Sequence, residues 1–113
     1  MTRGEIFMLD FGIPFGSEPG YTRPVIIIQA EKENLQNLNT TVVIPLTSNT
    51  LRAEYRGNVL IPKSDSGLTK DSVALIPHII VVDKERLVEK VGKINKEFMK
   101  KIETEIDYVL KDL

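Results

Sequence analysis

The sequence predicts a mainly β domain with one C-terminal helix: a small antiparallel β-barrel or curled sheet plugged by that helix. Three observations point to this class. Short β-branched and apolar runs follow one another over roughly the first 92 residues, separated by Gly-, Pro- and Ser-containing connections. One stretch of i+4 apolar spacing closes the chain. With 113 residues, 42% of them hydrophobic, the chain is long enough to close one core and too short for two, so residues 1–113 are read as a single domain.

Gly4 to Phe11 is short and rich in β-formers, and it reads as the first strand. Pro24 to Gln29 is a continuous β-branched run that suits a strand buried on both faces. Thr40 to Thr47 is another, in which Pro45 suggests an edge or a bulge near the end. Asn58 to Pro62, Ser72 to Pro77 and Ile79 to Val82 are three further short strands, and Leu87 to Ile94 is read as the last. Between the first two strands, residues 12–22 hold three Gly and two Pro and cannot form a regular element. So long a loop in a small domain is commonly functional or disordered. Ser48 to Arg56 and Lys63 to Asp71 are polar connections, and Asp83 to Arg86 is a mixed-charge turn. In the closing helix Asn95 is the predicted N-cap, and Ile94, Phe98, Ile102, Ile106 and Leu110 form the apolar stripe, widened by Met99, Val109 and Leu113. Lys96, Lys100, Glu103 and Asp107 lie on its other side.

Composition excludes several function classes. Fifteen Lys and Arg against 16 Asp and Glu leave a formal charge of −1, which excludes a strongly basic nucleic-acid coat while allowing a local basic groove. The absence of Cys removes disulfides and thiolate metal sites. The single histidine, His78, removes any poly-His metal centre and any mechanism with two imidazoles. No apolar run approaches the roughly 18–20 residues of a bilayer span, and the first residues show no export-signal pattern, so a cytoplasmic soluble protein is expected.

Candidate chemistry is sparse. Arg23 stands between the Gly/Pro loop and a buried strand, and Pro24 biases it toward extended geometry. A guanidinium there can grip a phosphate with its fixed fork of donors, or simply pair with Glu18 or lie in water. Thr47, Ser48 and Asn49 close the third strand, where hydroxyls and an amide can donate to phosphate or base edges or do ordinary turn duty. His78, between Pro77 and Ile79, is the only group that ordinarily titrates near neutrality, and it equally suits a structural hydrogen bond. Lys63 to Gly67 lacks phosphate-loop spacing, and the scattered Glu5, Asp10 and Glu18 suggest no metal cage.

Four blocks taken in order carry a resemblance: Arg3 to Asp10; Gly16-Ser17-Glu18-Pro19-Gly20 running into Arg23-Pro24-Val25-Ile26-Ile27-Ile28-Gln29; Thr41 to Ser48; and Lys70 to Leu75 leading to Asp83-Lys84-Glu85-Arg86-Leu87. In order, spacing and total length the chain resembles the MazF/PemK family, the toxins of type II toxin–antitoxin pairs. The resemblance implies a homodimer of SH3-like barrels that cleaves single-stranded RNA, such as mRNA, at a short sequence without metal or other cofactor. It also implies 2′,3′-cyclic phosphate and 5′-OH ends. The family's catalytic Arg falls on Arg23, its catalytic Thr on Thr47, and the acidic residue of its first loop on Glu18. The implied partner is a MazE-like antitoxin whose disordered segment folds across the dimer and blocks the RNA groove.

Single-stranded RNA is read by stacking and base-edge hydrogen bonds. Phe15 and Tyr21 in the first loop, Ser48, Asn49 and Arg52 after the third strand, and Arg56 and His78 are the candidate RNA-binding residues. The chain departs from the family in carrying His78-Ile79-Ile80 where many relatives have Gln-Ile-Arg, and Pro19 stiffens the first loop. These departures bear on the recognised sequence more than on the reaction. The competing reading is a non-catalytic CcdB-like gyrase poison on the same barrel. Arg23 and Thr47 together argue against it, and the helix end Leu110-Lys111-Asp112-Leu113 shows no signature of that branch.

Overall fold

The computed structural model describes residues 1–13, 16, 21–34 and 38–111. Seven strands run in chain order as β1 (Glu5–Asp10), β2 (Thr22–Ile27), β3 (Thr40–Thr47), β4 (Val59–Ile61), β5 (Ser72–Ala74), β6 (Ile80–Asp83) and β7 (Leu87–Lys93). The order across the sheet is β4-β5-β3-β2-β1-β7, with β6 also on β3, and every pairing is antiparallel. Three helices complete the fold: α1 (Glu31–Asn34), α2 (Lys63–Ser66) and the long α3 (Lys96–Lys111).

The expected antiparallel sheet and closing helix are both present. Closure differs from a complete barrel: among the described residues the end strands β4 and β7 do not pair. At β7, α2 lies against the sheet so closely that a β-carbon on Gly92 would run into the Ser66 carbonyl. A single helical turn thus packs on the face of β7, the strand at that end of the sheet.

Pro45 sits within a central strand, not at an edge. Thr40–Val43 of β3 pair with β6, and Leu46 and Thr47 pair with β5. Pro45 falls where the neighbour changes, and its carbonyl accepts from the Leu75 N–H at 2.9 Å. The N–H that proline lacks points to the side where one ladder has ended and the next has not begun, so no hydrogen bond is lost.

Alternation along the strands makes two cores. The larger packs Ile6, Ile26, Ile44, Leu46, Ile61 and Ile76 against Phe98, Met99 and Ile102 of α3. The smaller, on the other sheet face, joins Leu9, Val25, Ile27, Val43 and Val82. The helical stripe tapers: Ile102 is fully buried, Ile106 and Val109 are half-buried, and Leu110 is 59% exposed, while Leu113 lies outside the described residues. The opposite face, Lys96, Lys100, Glu103 and Asp107, is exposed.

The N-cap is as expected: Asn95 Oδ1 accepts from the Phe98 N–H at 3.0 Å, and its Nδ2 donates to Asp65 Oδ1 at 2.6 Å. Asn95→Ala is expected to lower stability by about 1 kcal/mol, read from urea unfolding followed by helical circular dichroism. At the other end of the core, the Glu5 side chain is 14% exposed and its Oε2 lies 2.6 Å from Lys90 Nζ. The hydrogen bond from Lys90 holds the Glu5 carboxyl below its ordinary value of 4.5; burial opposes the shift, and the Thr2 N–H assists it. The folded value lies below the unfolded one. This contribution is therefore present above the ordinary glutamate range and is lost as pH falls through the depressed value. Thermal melts of Glu5→Gln should accordingly show a smaller drop in Tm on acidification than the unsubstituted protein.

Candidate active site

The β2–β3 ladder positions the two residues that matter most. Its last pair is Val25↔Pro45. Pro24 has no N–H with which to continue the ladder, so pairing stops there. Arg23 and Thr47 each lie two residues further on, at adjacent strand ends, and period-2 alternation puts both on the face of Val25 and Pro45. On the far sides Arg23 is in register with Leu9, and Thr47 with Val73. A row across four strands thus carries one guanidinium beside one hydroxyl, each half-buried on a rigid ladder.

The turn after β3 orients that hydroxyl. The Asn49 N–H donates to Thr47 Oγ1 at 3.2 Å, and Asn49 Oδ1 in turn accepts from the Leu51 N–H at 3.2 Å, capping the 3₁₀ turn Thr50–Glu54. With its oxygen already accepting, Thr47 keeps its own proton to donate. Asn49 therefore has the turn role considered for it, and Ser48 stands exposed beside it.

Arg52, Arg56 and His78 gather at a second place. They line a cavity of about 410 Å³ between the Thr50–Glu54 turn and the 3₁₀ turn Ile76–His78, together with Tyr55, Asn58 and Pro77. Arg56 lies 3.9 Å above the Tyr108 ring of α3, and the Arg52 guanidinium is 5.9 Å from the Tyr55 ring. Asn58 Nδ2 donates to the Arg52 carbonyl at 3.0 Å, leaving the buried Asn58 Oδ1 and Arg52 Nε without hydrogen-bond partners among the described residues. The expected site residues thus fall into two groups joined by the Ser48–Glu54 segment.

Tyr21 stands two residues before Arg23 and is 66% exposed. Its φ of 60° is left-handed, a conformation uncommon for a non-glycine residue. Two backbone bonds hold it, from the Tyr21 N–H to the Gly12 carbonyl and from the Phe11 N–H to the Tyr21 carbonyl. Phe15 and Glu18 lie outside the described residues. No helix among the described residues is long and apolar enough to cross a membrane.

With this geometry in hand, comparison with known proteins decides the family. Residues 2–110 match the profile described as PemK-like, MazF-like toxin of type II toxin–antitoxin system. The chain belongs to this PemK/MazF toxin family. It is 34% identical over 110 residues to the endoribonuclease MazF6 of Mycobacterium tuberculosis, covering 97% of this chain and 96% of that one. It is 37% identical over 110 residues to the endoribonuclease MazF of Staphylococcus saprophyticus, covering 97% and 91%. Among solved structures, a mycobacterial endoribonuclease in complex with its cognate antitoxin superposes with a TM-score of 0.80 at 22% identity, covering 100% of this chain and 97% of that one. MazF from Deinococcus radiodurans gives 0.80 at 21% identity, covering 97% and 96%. The MazF fold is thus the fold of this chain.

Sequence reading missed Tyr55 and Asn58, which line the cavity of this MazF-family protein, and Tyr108, on whose ring Arg56 rests. The signal for Tyr108 was its place at the edge of the α3 stripe. Asn58, one residue before β4, carried none.

Proposed function

We propose that this chain is the toxin of a type II pair and acts, as a single domain over 1–113, as a sequence-specific endoribonuclease on single-stranded RNA, mRNA included. The observation that carries the reading is the placement of Arg23 beside Thr47 on one face at adjacent strand ends. Relatives named endoribonucleases, matched over nearly their whole length, support it.

In this reading the 2′-OH attacks the neighbouring phosphorus in line, releasing its proton to solvent, and the 5′-oxygen leaves with a proton from Arg23 that solvent then restores, giving a 2′,3′-cyclic phosphate and a 5′-OH. No metal or other cofactor takes part. Charge builds on the phosphoryl oxygens, so the step calls for preorganised donors. Arg23 clamps those oxygens with its fork, and Thr47 donates its hydroxyl proton to one of them. Arg23 is not a base, because a guanidinium holds its proton far above neutral pH. It can serve as acid to the leaving oxygen. Glu18, Phe15, Tyr21, Ser48, Asn49, Arg52, Arg56 and His78 contribute the RNA-binding surface, the last two with Arg52 around the second cavity. The active form is a homodimer in the cytoplasm, and a MazE-like antitoxin blocks the groove. That a mycobacterial relative was solved with its cognate antitoxin supports this partner. The gyrase-poison alternative has no such support from the relatives' names.

The test is incubation with mixed-sequence RNA in EDTA, followed by end mapping. Discrete cuts bearing 5′-OH ends are expected. A folded protein that leaves the RNA intact would overturn the reading and make gyrase the next target.

A further inference from the structure

The last turns of α3 meet the chain between Tyr55 and Asn58 at close quarters. Gly57 has a φ of 96°, which an L side chain rarely adopts, and a β-carbon there would sit 3.0 Å from Val109 Cγ2 and 3.8 Å from Pro77 Cγ. Glycine thus lets the backbone turn and lets the helix approach. Val109 packs half-buried against the larger core, which fixes this part of α3 to the sheet. The residue before it, Tyr108, is half-buried, and the Arg56 guanidinium lies 3.9 Å above its ring.

The backbone that carries Arg56 is tied as well. The Arg52 carbonyl accepts from the Tyr55 N–H at 3.3 Å and from Asn58 Nδ2 at 3.0 Å, and the Tyr55 carbonyl accepts from the Asn58 N–H at 3.1 Å. The long Arg56 side chain is exposed, makes no ion pair among the described residues, and shares a cavity wall with Arg52. Two guanidinium groups on one wall repel each other when no anion lies between them. The Tyr108 ring opposes that repulsion, because its face attracts a cation. The grip spends no donor: an arginine drawn to a ring through its face keeps all five N–H groups in the guanidinium plane, at its edge.

We infer that Tyr108 is a positioning residue for RNA: it holds the Arg56 guanidinium at the cavity wall, where that side chain grips a backbone phosphate of the bound strand. The inference rests on the nuclease reading and deepens it. The closing helix, which supplies none of the candidate site residues, sets affinity for the strand and leaves the chemical step to Arg23 and Thr47. Holding the side chain in place before RNA arrives lowers the ordering cost of binding.

The test measures binding of an RNA oligonucleotide made uncleavable by a 2′-deoxy position at the cut, beside single-turnover cleavage of the matching RNA. Arg56→Gln should weaken binding and reduce the slope of log affinity against log salt by about 0.7, the loss of one single-strand phosphate contact. Tyr108→Leu keeps the charge and the apolar bulk while removing the ring. It should weaken binding about two- to fivefold, with the salt slope and the cleavage rate at saturating RNA unchanged. Tyr108→Phe, which keeps the ring, should bind like the unsubstituted protein. In the Arg56→Gln background, Tyr108→Leu should cost nothing further. Thermal melts verify the folding of each variant. A Tyr108→Leu loss that persists undiminished without Arg56 would mark a merely structural ring and overturn the inference. So would Arg56→Gln with unaltered affinity and slope, and neither result touches the nuclease reading. An unsubstituted protein that neither binds nor cleaves would overturn both.

Discussion

Arg23→Ala should lower the rate of RNA cleavage by about a hundred- to a thousandfold, the usual effect of removing one preorganised donor from a developing oxyanion. Its melting temperature should stay close to that of the unsubstituted protein. Both expectations follow from position. Arg23 is half-buried just past the last β2–β3 pair, and truncating its side chain leaves the backbone ladder with β1 intact. What it removes is the only guanidinium held by β2, on the same face as the Thr47 hydroxyl. Arg23→Lys should recover part of the loss. An ammonium restores charge but cannot present two parallel donors to one phosphate, so a deficit of about tenfold should remain. Single-turnover cleavage of one defined RNA separates these outcomes from changes in binding. Full activity in Arg23→Lys would remove the two-donor clamp from the mechanism.

Gly92→Ala should damage the fold more than any surface substitution. At this position φ is not left-handed, so the demand for glycine is one of space, not of backbone conformation. A methyl group would meet the Ser66 carbonyl, with Ile6 Cδ1 at 3.4 Å and Leu68 Cδ2 at 3.5 Å closing the other directions. Backbone cannot rotate away as a side chain end can, so α2 must lift off β7 or β7 must bend. Lifting α2 also pulls on Asp65, which joins it to Asn95 at the start of α3. The expected loss is about 1–3 kcal/mol. In a domain near this size that is roughly 4–8 °C in Tm for each kcal/mol, measured by thermal melting.

Much of this architecture was legible before any coordinates, and the reason differs by element. β3 was readable because its β-branched run is continuous, and its bounds, Thr40–Thr47, are the expected ones. α3 was readable because its apolar spacing persists for four turns and Asn95 precedes it with the right side chain. β7 was harder: Val88, Val91 and Ile94 fit a helical face as well as a strand, and pairing with β1 decides for strand. The single-turn helix α2 lies inside the expected polar connection Lys63 to Asp71, since four residues hold no period to detect. The role of Pro45 was hidden because it depends on where two different neighbours meet β3, a fact of the whole sheet.

The candidate site was legible to a similar degree. Arg23 and Thr47 came from the resemblance, and nothing in local spacing alone singles out the pair. What the sequence could not supply is the separation of the remaining residues into two places. Arg52 and Arg56 follow Thr47 closely in the chain, yet a 3₁₀ turn carries them toward α3, where Arg56 rests on Tyr108. His78 reaches the same cavity from a distant turn, Ile76–His78.

The central claim is that Arg23 and Thr47 act together on one phosphate. A double-mutant cycle of Arg23→Ala and Thr47→Val, read in single-turnover cleavage of one RNA, tests it most directly. Residues that work as a unit lose little more together than the more damaging change loses alone, and that is the expected result. A double variant whose loss equals the product of the two single losses would mark two independent sites and contradict the account.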